Sequence, residues 1–488
     1  MKKKFINIIY INLIALTLMF QVGCNSFLDI RPKGELPGSQ LLNKPEGFES
    51  ALYGAYASLR TNNLYGMTLS HQMTEVLAQY FECYGNEFVN QLNDYNYKSS
   101  IVESSIDNVW ADMYTNIANV NNIIISLESF SEKDFRHYNL YKGEALGLRA
   151  FMHFEILRYF TKNIQLDNSA EGIPYSKKFA LEPSDFVSAS KAYELVIEDL
   201  VEAEKLLAQD ADLFTYPKNN PDDAFIRDRE THFNLYAVQA TLARVYFTMG
   251  DYPNAAIQAK KVVNSNKFEL LTKSDLAEGI MKGIIYPKEA IFGIYSTTYY
   301  NTVRERFYFE TSFSSYNPRK DIKSIYEKEQ RGHDYRWEGF FKTPTTSTGS
   351  LRFIKLVDQY MIDDREWQRP AAYIPGINMI RLPEMYYILA ESLLSSSPQE
   401  AANYFDTVLE SRGLTGLQNR DEANEKQLTK ERITDERYKE FIGEGQTFLN
   451  MKRLNSNIIA TDNSVISASD AIYVWPIPFD ELEYNPKK

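Results

Sequence analysis

The chain has 488 residues, with 53 Lys plus Arg against 65 Asp plus Glu, and a formal net charge of -12. An acidic chain with no basic block lacks the cations that neutralise a phosphate backbone, which excludes nucleic acid as a partner. At 44% hydrophobic and 24% charged residues the composition is that of a folded globular protein rather than a disordered one. The aromatic residues are unevenly chosen, 34 Tyr and 29 Phe against 4 Trp, so many half-polar rings must lie at surfaces and helix contacts.

In chain order, Lys2, Lys3 and Lys4 precede a mostly apolar run over 5–20 and then Gln21, Val22, Gly23 and Cys24. A charged start, a short apolar stretch and a small residue before a cut make a secretory leader. Such a run spans roughly 24 Å as a helix, short of the roughly 30 Å hydrocarbon core, so 1–23 is expected to be cleaved. The cut site resembles the lipobox of bacterial lipoproteins, with Gly23 in its usual place and Gln21 in that of the usual Leu. Cys24 is then the lipidated first residue. Loss of the leader removes three lysines and takes the net charge from -12 to -15. Cys83 is then the one remaining thiol, so no intramolecular disulfide can form and stability must come from packing.

Apolar residues at helical spacing predict a helix over 45–59, with Asn43 as cap and Pro45 in the first turn. The stretch 61–105 lacks a steady period and reads as a long loop region with a short helix near 74–79. Further helices are predicted over 110–127, 134–160 and 191–208. In 240–263 a helix stops at Gly250, Asp251 caps the next, and Ala255 and Ala256 allow close approach. This resembles a tetratricopeptide repeat, which cannot bury its own face and needs partners. A second pair, 381–396 and 398–412 with Gly413 as stop, has similar dimensions, and no 34-residue period links the two, so the scaffold is expected to be assembled from non-adjacent pieces. Between them, 270–378 changes character: 290–295 reads as a strand and 342–350 as a hairpin or exposed loop. Arg437, Glu440 and Glu444 fall on one face if a single helix carries them, predicting a charge network there, with Asn450 weakening its Arg453 end.

No H-E-x-x-H, G-x-S-x-G or P-loop pattern is present, and the five histidines are scattered. His153 is expected to be a hydrogen-bonded packing residue. Asp222–Asp223 and Asp363–Asp364 read as solvated loop charges, with a surface calcium the alternative. Binding is easier to support than catalysis. Sugar rings present apolar faces edged by hydroxyls, so tyrosine or tryptophan platforms beside amides suit them, and the same surface would hold a peptide. Two loop regions carry that mixture: Tyr65, Tyr80, Phe81 and Tyr84 with Asn86, and Tyr295, Tyr299, Tyr300 and Trp337 with Asn301. Of these, Tyr65, Tyr80, Tyr84, Tyr299, Tyr300 and Trp337 are the candidate ligand contacts. Tyr114, Tyr246 and Tyr252 are assigned to helix packing.

Several pieces together resemble the SusD/RagB family of surface nutrient-binding lipoproteins from Bacteroidetes. They are Cys24 to Asp29 with Arg31-Pro32-Lys33-Gly34; Trp110, Tyr114, Ile117 and Asn121; 144–154, centred on Arg149; Arg381 to Glu391; and Trp475-Pro476-Ile477-Pro478 with Glu481, Asn485 and Pro486. The signature over 436–453 keeps one of the usual paired arginines and the Glu-Gly, and has Asn450 in place of Asp. The resemblance implies a mainly α fold, a tetratricopeptide-like scaffold with irregular, partly β insertions. It divides the chain into the leader 1–23, an N-terminal region 24–225, and a C-terminal region 226–488 with the repeat pair at about 233–264 and the insertion at about 270–378. It also implies an outward-facing outer-membrane lipoprotein that captures an oligomeric nutrient, glycan first and peptide second. Such a protein delivers its ligand to a SusC-like TonB-dependent transporter without being an enzyme and without a cofactor. A lipid-anchored scaffold that binds only proteins is the rival reading.

Overall fold

In the computed structural model, residues 41–214, 221–277, 285–286, 288–308, 315–328, 331–342, 350–358, 360 and 373–485 are described. The leader, Cys24 and Asp363–Asp364 lie outside them. Eight helices make up a continuous row: α1 (Pro45–Leu59), α2 (Ser100–Leu127), α3 (Tyr138–Phe160), α4 (Ala189–Leu206), α5 (Leu235–Met249), α6 (Tyr252–Asn264), α7 (Leu382–Ser392) and α8 (Pro398–Ser411). Each packs on the next, so α6 meets α7 although 265–381 separate them in sequence. This is the expected assembly from non-adjacent pieces, and it satisfies the repeat's need for neighbours.

Local chemistry explains the helix borders. The Asn234 side chain accepts from the amides of Tyr236 and Ala237 and so starts α5. Gly250, at φ 79°, ends it in the left-handed region. Asp251 then caps α6 by accepting from the Asn254 amide, and Ala255, Ala256, Ala259 and Val262 bury its inner face. Helix α1 spans the predicted residues, but its cap position is Lys44 and no side chain caps it. Helix α2 begins at Ser100, ten residues before the predicted start. Val102, Ile106 and Val109 already bury its first turns, and the intervening Glu103, Asp107 and two serines hide that stripe. The short helix expected near 74–79 is present as Met73–Leu77, but the rest of 61–105 is more ordered than a loop, with a π-helical turn Thr68–Gln72 before it and a helix Glu87–Asn93 after it.

The insertion joins the scaffold through an antiparallel pair, β1 (Ala290–Tyr295) and β2 (Gly376–Arg381), and β2 runs directly into α7. Phe341–Lys342 and Arg352–Phe353 also pair, and 343–349, within the segment read as hairpin or exposed loop, lie outside the described residues. Where β1, β2, α7, α8 and a further helix α9 (Lys430–Phe441) converge, a charge network is sealed from water. Glu440 Oε1 lies 2.9 Å from Arg381 and 3.0 Å from Arg412. Glu289 bridges the same two guanidiniums at 2.8 and 2.7 Å. Glu444 meets Arg381 at 2.7 Å and Lys355 at 2.5 Å, and Arg336 meets Asp334 at 2.7 Å and Glu436 at 2.5 Å. Burial alone would raise the Glu440 carboxyl, but Arg412, Arg381 and Arg336 hold it well below the ordinary range.

This corrects the expected network in one respect. Helix α9 ends at Phe441, so Glu444 reaches Arg381 from the following turn and not from a shared helix face. Arg437 points elsewhere and packs over the rings of Phe247 and Phe441, at 5.4 and 5.6 Å. Asn450 does not loosen the Arg453 end. Its Oδ1 accepts from Arg453 Nε at 3.1 Å, and Glu391 supplies the carboxylate at 2.8 Å.

Removing one member of a buried ion cluster leaves the others uncompensated. Glu440→Gln is therefore expected to lower unfolding free energy by about 3 to 5 kcal/mol, read from a urea unfolding midpoint. Lys205→Ala, which breaks an exposed pair at 3.0 Å, should change it by less than about 0.5 kcal/mol.

Candidate ligand-binding surface

The two aromatic loop regions, far apart in sequence, are neighbours in space. Phe81–Glu82 pairs antiparallel with Asn317–Pro318. Thr302 Oγ1 donates to the Gly66 carbonyl at 3.2 Å, and Arg60 Nη1 donates to the Tyr295 carbonyl at 3.1 Å. Beneath the surface a run of touching rings binds the regions together: Phe307 to Phe81 at 5.1 Å, Phe81 to Phe353 at 5.2 Å, Phe353 to Phe341 at 5.6 Å and Phe341 to Trp337 at 4.8 Å.

That packing sorts the predicted ligand contacts. Tyr65, Tyr80 and Tyr299 are buried at 3%, 5% and 4% exposure and offer no ring face to a ligand. Tyr65 donates to Glu155 Oε2 at 2.9 Å, Tyr80 packs edge-on against Tyr438, and the Tyr299 hydroxyl lies 3.3 Å from His71 Nδ1. The reason is physical: a phenol can be buried once its hydroxyl has a polar partner, and here the Thr68–Gln72 turn and α3 supply such partners. Tyr84 is exposed and donates to Glu82 Oε2 at 2.5 Å. Tyr300 is half-buried with the Arg304 guanidinium 5.8 Å over its ring. Trp337 is half-buried and stacked on Phe341, at the edge of the ring cluster. Among their predicted companions, Tyr295 and Asn301 are exposed, whereas Asn86 is spent capping Glu87–Asn93.

Sequence reasoning missed the part of this surface that α1 supplies. Tyr53 and Arg60 stand seven residues apart, hence on one face of that helix, and Tyr53 is exposed. Asn62 and Asn63 follow, also exposed, with Asn63 held by Asp112 at 2.9 Å. The resulting surface sets tyrosine rings beside guanidinium and amide donors.

One buried carboxyl lies below it. Glu75 Oε1 accepts from the Gly445 amide at 2.9 Å, tying the turn after α9 to the 68–77 segment. Gly445 sits at φ 71°, and a Cβ there would meet the Leu69 carbonyl oxygen at 2.1 Å, so only glycine fits. Burial pushes Glu75 up to about 7, against the pull of the Gly443 and Gly445 amides and Lys355. His71 is driven down to about 3, first by burial and then by Arg306. His153, likewise lowered to about 3 by burial, accepts from the Ser176 amide through Nε2 and donates from Nδ1 to the Arg149 carbonyl. It is the hydrogen-bonded packing residue expected.

Among the described residues no group of three His, Cys, Asp or Glu could hold a metal ion, and no helix is long and apolar enough to cross a membrane. Asp223 lies 2.7 Å from His137 Nε2 and accepts from the Phe225 amide at 3.1 Å.

A family model described as starch-binding associating with outer membrane matches residues 26–247, and the SusD family model matches 288–487. The chain belongs to the SusD/RagB family. A SusD-like protein of Formosa agariphila is 24% identical, aligned over 99% of this chain and 98% of its own. Among solved structures, a SusD superfamily protein of Bacteroides thetaiotaomicron superposes with a TM-score of 0.71 at 21% identity, covering 90% of this chain and 98% of its own. A laminarin-binding SusD-like protein gives 0.67 at 17%, covering 91% and 98%. The mainly helical architecture of this family member is the SusD-like fold.

The Glu75 assignment has a definite pH signature. The folded protein keeps this proton up to about pH 7, whereas an unfolded glutamate loses it near about 4.3. The folded state therefore binds more protons between those values, and stability falls as pH rises through them, by up to about 4 kcal/mol. Glu75→Gln should match the parent near about pH 4, below the unfolded pKa, and exceed it increasingly at pH 6 and pH 8, as read from thermal unfolding midpoints at the three values.

Proposed function

We propose that this protein captures an oligomeric glycan at the cell surface and passes it to a SusC-like TonB-dependent outer-membrane transporter, held at the membrane by a lipid on Cys24. The observation that carries the binding site is the meeting of the two loop regions on a rigid helical scaffold. It holds the Tyr295 backbone against Arg60, with half-buried Tyr300 and exposed Asn301 following in one segment and exposed Asn62 and Asn63 following in the other. Ring faces suit the apolar faces of sugars, and the donors suit their hydroxyl edges. Tyr84 and Trp337 stay in the proposed contact set at its margin. Tyr65, Tyr80 and Tyr299, being buried, are not in that set. A relative that carries laminarin binding in its description favours glycan over peptide as the ligand class.

A scaffold that holds its loops fixed before binding loses little conformational entropy on capture, and non-covalent capture with release to a transporter requires no reacting side chain. Energy for uptake would come through the transporter.

Calorimetric titration of the purified protein with β-glucan, α-glucan and peptide panels tests this reading. One glycan class should bind, and Tyr295→Ala and Tyr300→Ala should each weaken it about tenfold, or about 1.4 kcal/mol, with thermal midpoints unchanged. Full affinity in both variants would move the site elsewhere, and binding confined to peptides would replace the ligand class.

A further inference from the structure

Where α3, α4 and α5 meet a further helix, Thr447–Leu454, the interior holds one more cation than it has carboxylates to match. A cavity of about 20 Å³ lies at that junction, lined by Tyr193 of α4, Thr248 of α5 and four cationic residues, Arg158, Lys162, Lys452 and Arg453. No Asp or Glu among the described residues lines it. A single water needs roughly 10–15 Å³ of such space, so there is room for one small ion.

Three of the four cations have a carboxylate of their own. Glu155 takes Arg158 Nη2, Asp470 takes Lys162 at 3.1 Å and Glu391 takes Arg453 at 2.8 Å. Lys452 has none. It is 6% exposed, its ammonium donates to the Arg158 and Tyr159 carbonyls at 2.6 and 3.4 Å, and it forms no ion pair among the described residues. Burial pushes it down to about 7, against the pull of Asp470, whose carboxylate is already paired with Lys162. A second donor at the junction is also unused. Arg158 is 7% exposed and gives Nη1 to Gln446 at 3.1 Å, while its Nε is buried without a partner. Taking an ammonium and a guanidinium N–H out of water unpaired is costly, and an anion between them offsets that cost. One unmatched positive charge and a cavity of single-ion size call for a monovalent, monatomic acceptor.

We propose that this junction is a binding site for a halide-sized monovalent anion, chloride among the common ions, held by Lys452 Nζ and Arg158 Nε where α3 meets the Thr447–Leu454 helix. The site uses none of the proposed glycan contacts, so it stands or falls apart from that assignment.

Crystals of the mature chain grown without halide and then soaked in sodium bromide test it directly, because bromide is close to chloride in size and scatters anomalously. An anomalous peak should appear in the cavity, within hydrogen-bonding reach of Lys452 Nζ and Arg158 Nε. In solution, the thermal midpoint at fixed ionic strength should rise saturably, by about 2 °C, as isethionate is replaced by chloride. Lys452→Met should lose that rise, whereas Lys205→Ala, altered at an exposed lysine, should keep it. No bromide peak at the junction, a midpoint indifferent to chloride, or an equal rise in Lys452→Met would overturn the proposal. If Lys452→Met does not fold, the bromide map and the chloride titration of the parent decide it.

Discussion

Glu440 and the guanidiniums of Arg381 and Arg412 are the knot on which the rest of the structure depends. They bring together α9, the end of β2 and the end of α8, and Glu289, just before β1, closes the ring against both arginines. Charges so deeply buried lose several kcal/mol each in hydration, so the cluster is tolerable only because its charges are matched and nearly every hydrogen-bonding position is used. The requirement is selective. Each of these segments is far from the others in sequence, and a shift of any one leaves a guanidinium or carboxylate dry and unpaired. In a chain with no disulfide among the described residues, this all-or-none pairing fixes where the insertion sits on the helical row.

What the knot fixes, the aromatic run exploits. Lys355, which donates to the Glu440 and Ile442 carbonyls and to Glu444, belongs to the same cluster. Two residues before it stands Phe353, the ring that joins Phe81 to Phe341. The loops that carry Tyr295 and Tyr300 therefore rest on rings anchored through the ion cluster. Burial pushes Lys355 down, and its three acceptors limit the cost of keeping it inside. Position is set by interior chemistry, and the exposed rings inherit it.

The parts of this arrangement legible in the sequence are those whose signal is local. Helix α1, the α5–α6 pair with Gly250 and Asp251, and strand β1 follow from periodicity and capping, and all lie where the residues place them. The start of α2 was hidden because acidic and serine positions dilute its apolar stripe. The tyrosines could not be sorted by sequence, since a phenol suits a buried site with a partner and an exposed platform equally well. The deciding partners are distant: Glu155 is 90 residues from Tyr65, and His71 is 228 from Tyr299. Glu444 leaves the helix face for a local reason, because Ile442, at ψ 129°, ends α9 and Gly443, at φ 83°, turns the chain away. The contribution of α1 to the site went unseen because its apolar face suffices to explain the helix.

Charge distribution joins the interior to the surface. Inside, cations and carboxylates are closely matched: Arg149 with Asp199, Arg244 with Glu384 and Arg453 with Glu391 as pairs, and the Glu440 cluster as a group. The net charge of -12 must then be carried almost wholly by the exposed residues, where solvent screens it but does not remove it. An acidic surface repels anionic oligomers and leaves a neutral polyol unaffected, so a ligand held by ring faces and amides suffers no Coulombic penalty on approach. The same field draws basic surfaces inward only within about a Debye length. One charge balance thus favours a neutral ligand over an anionic one anywhere on this surface.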